Sequence, residues 1–301
     1  MQFLVSGASG MIGSAVVSRL IAGGHGIIRL TRASSSPDFS RIHWNPESDI
    51  APDLPETTFD AVIHLAGESV GSARWSERKK ARIRESRVNG ARLLCGSLAR
   101  LKRPPRVLVS ASAAGYYGDR GDDILDEESG PGSGFLAGVC RDVEAEIALA
   151  GEQGIRAISL RFGVVLSKEA GSLAVMLRPF RMGLGGALGS GRQYMSWIAL
   201  DDAAGVIEHC LRTEALRGPV IAASPCPVTN RQFVKTLGQV LGRPAALPLP
   251  AFALRLALGQ VAGELLLASQ RLNPVRLKST GFLFRYPELE GALRSLLGRT
   301  A

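Results

Sequence analysis

The sequence is short of the features that mark secreted, metal-binding or membrane-spanning chains. Its 301 residues hold four cysteines, Cys95, Cys140, Cys210 and Cys226, far apart and without disulfide or metal-ligand spacing. No metal site is expected, and a reducing cytoplasm is the expected compartment. The start, Met1-Gln2-Phe3-Leu4-Val5, shows neither a basic n-region nor a cleavage site. Long hydrophobic runs are missing too. The most apolar stretch, Leu247 to Leu272, is interrupted by Pro248, Pro250, Arg255, Gln260 and Glu264, which predicts a packed helix and no membrane span. There is no internal repeat and no low-complexity tract. Acidic residues are outnumbered, 27 against 36 Lys and Arg, for a formal net charge of +9. The densest basic cluster, Arg78 to Arg84 with Arg87 beyond, falls on a predicted helix without interleaved aromatics. It reads as a solvated face, and no nucleic-acid partner is expected. What is present, 46% hydrophobic and 21% charged residues, suits one large or two modest globular domains.

The most informative stretch opens the chain. Phe3-Leu4-Val5 reads as a strand, Met11 to Leu20 as an amphipathic helix, and between them Gly7, Gly10 and Gly13 stand at G-x-x-G-x-x-G spacing. A diphosphate sits against bare backbone N–H groups at the first turn of a helix, where the positive end of the macrodipole favours anions. A Cβ at the glycines would hold the phosphates off or prevent the tight turn. Gly7, Ser9, Gly10, Met11, Ile12 and Gly13 are therefore candidate cofactor-binding residues, in the strand–turn–helix context that gives the pattern its value.

Alternating strands and helices follow. Gly26 to Leu30 is the second strand, and its end faces the adenosine ribose in a dinucleotide fold. An acidic residue there would bind the 2′-OH of NAD. This chain has Thr31-Arg32, and a guanidinium pairs with a 2′-phosphate that a carboxylate would repel. NADP(H) is the expected cofactor, with NAD(H) as the alternative. Ser34 to Pro55 reads as a loop-rich connection. Asp60 to Ala66 is a further strand whose Leu65 and Ala66 would pass under the adenosine side. His64 has no nucleophile or carboxylate beside it in sequence and reads as a histidine with structural partners. The helical stretch Ser76 to Arg100 carries Arg87, counted with the cofactor-binding residues. Arg106 to Ser110 is the next strand and enters Ala111-Ser112-Ala113-Ala114-Gly115-Tyr116-Tyr117-Gly118.

Here the chain resembles the extended short-chain dehydrogenase/reductase superfamily, in its poorly characterised "epimerase family protein" branch. The matching segments are Leu65 to Glu68, Ser112 to Gly118, Arg161 to Leu166, Gly183 to Gly186, Gly189 to Gln193, Ser196 to Ile198 and Arg243-Pro244, spread over nearly the whole chain. The resemblance implies a Rossmann fold: an α/β, doubly wound parallel sheet over residues 1–224, with a smaller, mainly helical C-terminal substrate or cap domain over residues 225–301. It also implies that a Ser at the strand end contacts the substrate oxygen, that a Tyr-x-x-x-Lys pair moves the proton, and that long helices pair two copies into a homodimer. Ser112 matches the serine. Val165 would touch the cofactor.

The Tyr-x-x-x-Lys pair is where the chain departs. The helix that should carry it reads Gly134-Phe135-Leu136-Ala137-Gly138-Val139-Cys140-Arg141, with Phe135 near the tyrosine position and Val139 four residues on. Phenylalanine transfers no proton. Tyr116 or Tyr117 is the substitute phenol, and Tyr117 is taken as the catalytic candidate with Ser112. Cys140 or Arg141 would line the pocket in place of the lysine. In the glycine-rich region that follows, Arg192, Gln193 and Trp197 are candidates to meet the substrate, Arg192 as a fork for an anionic group. Asp202 reads as the cap of a helix over Ala203 to Leu211. The resulting expectation is an NADP(H)-dependent oxidoreductase or epimerase-like enzyme acting on a small carbonyl or sugar-type substrate. The alternative is an NADPH-binding sensor or interaction protein without turnover.

Overall fold

The computed structural model describes residues 1–32, 40–46, 52–55, 58–71 and 74–299. Seven strands form one parallel sheet: β1 (Gln2–Ser6), β2 (Gly26–Thr31), β3 (Arg41–His43), β4 (Ala61–His64), β5 (Val107–Ala113), β6 (Arg156–Phe162) and β7 (Gly218–Ala222). Their order is β7-β6-β5-β4-β1-β2-β3. The chain runs outward from β1 to β3, then returns to β4 on the other side of β1. Ligands of such sheets bind at the carboxyl ends of the strands beside this reversal.

Both faces are covered, which explains why the strands are apolar at consecutive positions. Phe3, Val5, Ile63 and Val109 pack against Val16 and Leu20 of α1 (Met11–Ala22) and Val206 and Ile207 of α5, which spans Leu200–Arg212. On the opposite face Leu4, Val62 and Leu108 meet Leu94 and Leu98 of α2 (Glu77–Ala99) and Val143 and Ile147 of α3, which spans Phe135–Glu152. Ser76 caps α2, its Oγ accepting from the Lys79 N–H.

A second core lies beside the sheet. Leu173, Leu177 and Phe180 of α4 (Gly171–Arg181) and Trp197 pack on Phe233 and Leu237 of α6 (Asn230–Leu241) and Leu293 of α8, Leu289–Leu296. This core draws on residues from both sides of the expected boundary at 224/225. Thr229 begins α6 with a capping box closed by Gln232.

Three expectations need correction. The connection read as loop-rich contains β3 at Arg41–His43, while residues 34–39 and 47–51 of it lie outside the described residues. The packed helix expected in the apolar stretch Leu247 to Leu272 is broken: α7 (Ala251–Leu258) stops at Leu258, and Ala262–Leu267 is a separate π-helical turn. Gly259 breaks it, at φ 61°, where an added Cβ would stand 3.0 Å from the Arg74 Nε. Asp202 does not cap its helix. Its carboxylate accepts the backbone N–H groups of Arg285 and Tyr286 at 2.8 and 2.9 Å, tying the C-terminal segment to the sheet domain. No helix among the described residues is long and apolar enough to cross a membrane.

Candidate functional site

The three glycines of the first turn do different work. Gly7 has φ +70°, and an added Cβ would lie 2.6 Å from the Leu65 carbonyl carbon; it is needed where the turn passes the exit of β4. At Gly13 a Cβ would meet the Gly7 carbonyl oxygen at 2.1 Å, so this glycine lets α1 pack onto its own loop. Gly10 is exposed, and a Cβ there would meet only the Gly7 oxygen, at 3.2 Å. Gly10 is thus the position whose bare backbone faces outward. It is also the N-cap of α1, with no side-chain cap and no acidic residue in the first turn. The first N–H groups of the helix remain available to an anion.

A cavity of about 520 Å³ opens in front of this turn. Gly7, Ser9, Gly10, Thr31, Arg32, Leu65 and Ala66 line it together, as the sequence predicts for a dinucleotide site. A second cavity, about 490 Å³, opens at the amino ends of the strands beside Met1, Asp60 and Arg106, away from the glycine turn. Sequence reasoning missed Arg29, Arg41, Trp44 and Glu68, which also line the first cavity. The alternation Arg41-Ile42-His43, one buried residue between two exposed ones, was the available signal for the strand that brings Arg41 there. Glu68 accepts from Lys79 Nζ at 2.5 Å, and this bond, with weaker help from Arg82 and Arg32, holds its carboxyl below the usual range.

Other cofactor candidates stand behind the cavity wall. Arg87 donates to the Glu68 carbonyl at 2.7 Å and lies against Gly67, where a Cβ would fall 3.0 Å from its Cζ. It shapes the exit of β4. His64 is buried and shares a 2.6 Å hydrogen bond with the Ser6 hydroxyl, the structural partner its reading called for. Burial, aided by Arg87, pushes the His64 pKa down to about 4, so the ring is neutral near pH 7. Met11, Ile12 and Val165 join the apolar layer under the site. Gly171 lies where a Cβ would touch both Met11 and the Val165 carbonyl at 3.5 to 3.6 Å.

The chemistry-bearing cluster sits at the end of β5. Ser112 stands opposite Arg161 in the β5–β6 register. Its hydroxyl donates to Glu144 Oε1 at 2.6 Å. Arg161 grips the same carboxylate, from Nη2 to Oε2 at 2.8 Å and from Nε to Oε1 at 3.0 Å. Its guanidinium lies 3.5 Å from the centroid of the Tyr116 ring and donates from Nη1 to the Tyr117 hydroxyl at 2.9 Å. A serine that donates inward to a clamped carboxylate keeps its oxygen lone pairs for a donor arriving from outside.

Two candidates are corrected by burial. Tyr117 is 0% exposed; its hydroxyl accepts from Arg161 and donates to the Asp126 carbonyl at 2.8 Å. Burial pushes its pKa up, against the pull of Arg161, so it holds its proton in a structural bond and is no exchangeable acid. Trp197 is likewise 0% exposed, in the second core, with its indole N–H donating to the Cys226 carbonyl at 3.1 Å. Gln193 is buried, its amide donating to the Leu188 and Leu266 carbonyls. Arg192 remains exposed on the neighbouring turn. Phe135 packs edge-on against Trp75 at 5.3 Å, and its N–H is capped by Glu264. Cys140 is buried, and burial with Glu144 raises its thiol to about 11. It is an inert thiol and no substitute for a lysine cation.

Comparison with known proteins agrees with this fold. The NAD dependent epimerase/dehydratase family matches residues 3–221, and a domain of unknown function, DUF1731, matches residues 249–296. An epimerase family protein of Mycobacterium leprae is 39% identical over 289 residues, covering 96% of this chain and 93% of that protein. Human epimerase family protein SDR39U1 is 34% identical over 300 residues, covering 99% of this chain and 100% of that one. The crystal structure of human SDR39U1 (isoform 2) with NADPH superposes with a TM-score of 0.91 at 33% identity, covering 100% of both chains. UDP-glucose 4-epimerase from Thermotoga maritima, solved with UDP-glucose, shares the fold at a TM-score of 0.77 and 20% identity, over 99% of this chain and 98% of its own. With relatives above 30% identity along nearly its whole length and the glycine turn, strand order and strand-end serine in place, the chain belongs to the NAD-dependent epimerase/dehydratase family.

Proposed function

We propose that the protein binds NADPH in preference to NADH and catalyses hydride transfer on a small carbonyl, alcohol or sugar-type substrate. Ser112 would contact the reacting oxygen. The observation that carries the reading is the Ser112–Glu144–Arg161 chain at the carboxyl end of β5. The cofactor supplies the hydride chemistry when bound. Arg32 and Thr31 would hold its adenosine end, and the uncapped first turn of α1 its diphosphate. The presence of NADPH in the crystal structure of the human relative supports this cofactor.

Ser112 takes the part of an acceptor. A substrate hydroxyl would donate to Ser112 Oγ while Ser112 donates to Glu144, so a proton leaving the substrate has a path that needs no tyrosine. Arg161 keeps the carboxylate oriented. Arg192 would meet an anionic substrate group from its exposed turn. Two copies paired through α2 and α3 would form the homodimer this family reading expects; a monomeric mass by light scattering would remove that part.

A second reading is an NADPH-binding sensor without turnover. It is favoured by Phe135 and Val139 where the resemblance expects the acid/base pair, and by the locked hydroxyl of Tyr117. A panel of small carbonyl, alcohol and sugar-type compounds with NADPH or NADP separates the two. Ser112→Ala is expected to lower turnover by about 100-fold, the size of a lost acid–base or oxyanion contact, with NADPH affinity unchanged. Undiminished turnover would exclude the role given to Ser112. NADPH binding with no turnover across the panel would favour the sensor.

A further inference from the structure

In the sheet order β4 stands between β1, which leads into the glycine turn, and β5, whose end carries Ser112. A dinucleotide with its adenosine end over β2 must therefore cross the carboxyl end of β4 to bring its nicotinamide to Ser112. Arg87 stands at that crossing. It rises from the interior of α2, half-buried, and its guanidinium fills the space that a side chain on Gly67 would take. An added Cβ there would lie 3.0 Å from Cζ and 3.2 Å from both Nε and Nη2. Gly67 has no positive φ, so a glycine here supplies room for the guanidinium and not a backbone conformation. Nη1 is committed to the Glu68 carbonyl at 2.7 Å and more weakly to the Ile83 carbonyl at 3.4 Å. The Glu68 carboxylate turns away to Lys79 Nζ, at 2.5 Å. Among the described residues nothing bonds to Arg87 Nε or Nη2, and neither is sealed from solvent.

The same guanidinium reaches towards the reacting end. Cys140 lies on α3, the helix from which the resemblance expects a lysine, and it carries no cation. Ser112 hydrogen-bonds its thiol, and the Arg87 charge acts on it as well, both against the upward push of burial and Glu144. Arg87 is thus within electrostatic reach of the group beside Ser112. A guanidinium stays charged at any working pH, even half-buried. Its bond to the Glu68 carbonyl and its seat on Gly67 fix it before a ligand arrives, which favours affinity. We propose that Arg87 supplies from α2 the cation that a lysine would supply from α3, donating from Nε and Nη2 to the phosphate and ribose of the nicotinamide half of the dinucleotide. Gly67 is then the spacer that keeps this seat open. The inference rests on the cofactor reading above and adds to it a residue which that reading does not use.

Calorimetric titration of the full chain with NADPH, 2′-phospho-ADP-ribose and 2′,5′-ADP tests it in wild type, Arg87→Gln and Arg87→Lys. The last ligand carries the adenosine end alone. 2′-Phospho-ADP-ribose adds the second phosphate and ribose without the nicotinamide ring. Glutamine keeps a donor for the Glu68 carbonyl and removes the charge. Arg87→Gln is expected to weaken NADPH and 2′-phospho-ADP-ribose about tenfold, the size of one charge-assisted hydrogen bond, and to leave 2′,5′-ADP within about twofold. Arg87→Lys should recover only part, because an ammonium is a point charge without the planar fork. Binding of 2′,5′-ADP serves as the folding control. Unchanged NADPH affinity in Arg87→Gln would overturn the inference and leave the cofactor reading standing. Equal weakening of all three ligands would also overturn it, because Arg87 would then only shape the exit of β4. A wild type that prefers NADH would sink the NADPH reading alone, and NADH, ADP-ribose and AMP would carry the same comparison. A wild type that binds neither dinucleotide would sink the cofactor reading and this inference with it.

Discussion

His64 ends β4 as a neutral ring, 3% exposed, bonded to the Ser6 hydroxyl. Its pKa falls from 6.5 to about 4 because burial penalises the imidazolium and Arg87 repels it. A depressed folded-state pKa means that the unfolded chain binds the proton first. The stability His64 confers is present above pH 6.5 and is lost as the pH falls towards 4. The loss should reach on the order of 3 kcal/mol at most. Urea denaturation of wild type and His64→Gln between pH 7.5 and 4 would show it: the wild type is expected to lose more stability than the variant across this window. Parallel slopes would remove His64 as the cause. Residues close in sequence to one another can meet opposite fates at this scale. Ser112 and Tyr117 both follow the apolar part of β5, yet Ser112 is half-buried at the strand end, while Tyr117 turns inward onto Arg161. Only the path of the backbone separates them.

At the scale of elements, the glycine turn makes a sharp distinction. Gly13→Ala would force a Cβ to 2.1 Å from the Gly7 carbonyl, where backbone meets backbone and neither can move cheaply. A loss of about 1–3 kcal/mol is expected, as for overpacked sites. Gly10→Ala meets one atom at 3.2 Å and should leave the melting temperature nearly unchanged while weakening NADPH. Thermal unfolding and nucleotide titration of the two variants test this; equal destabilisation would show that Gly10 also serves packing. The same scale shows why the apolar stretch after Pro250 is no single helix. Its composition permits one, but Gly259 adopts φ 61° where Arg74 crosses it, and Glu264 is diverted to accept the N–H groups of Phe135 and Leu136 at the start of α3. A contact between distant segments overrides the local preference.

On the scale of the whole molecule, the second core joins the chain's two halves. Leu177, Phe180 and Trp197 come from one side of residue 224, Phe233, Leu237 and Leu293 from the other. Asp202 with Arg285 and Tyr286, and Ser224 Oγ donating to the Pro287 carbonyl, add polar ties. A fragment of residues 1–224 would expose half of this core. It is expected to aggregate or to unfold without a cooperative transition, as followed by circular dichroism. A cooperative, soluble fragment would mean that the sheet domain is self-sufficient and that the cap only docks on it.

Taken alone, the sequence determined the parallel sheet, the glycine turn and the basic end of β2. Each depends on neighbours along the chain: apolar runs of strand length, glycines at a turn, and an arginine where a carboxylate would otherwise stand. It also revealed that the Tyr-x-x-x-Lys pair is missing. Which groups occupy the site in its place was decided by the tertiary structure. Glu144 and Arg161 reach Ser112 from a helix and a neighbouring strand, Arg41 comes from a strand too short to announce itself, and Tyr117 and Trp197 are withdrawn into the interior. Periodicity reports which face of an element is buried. It carries no information on which distant side chains share a hydrogen bond once the elements pack, and the chemistry of this site depends on those bonds.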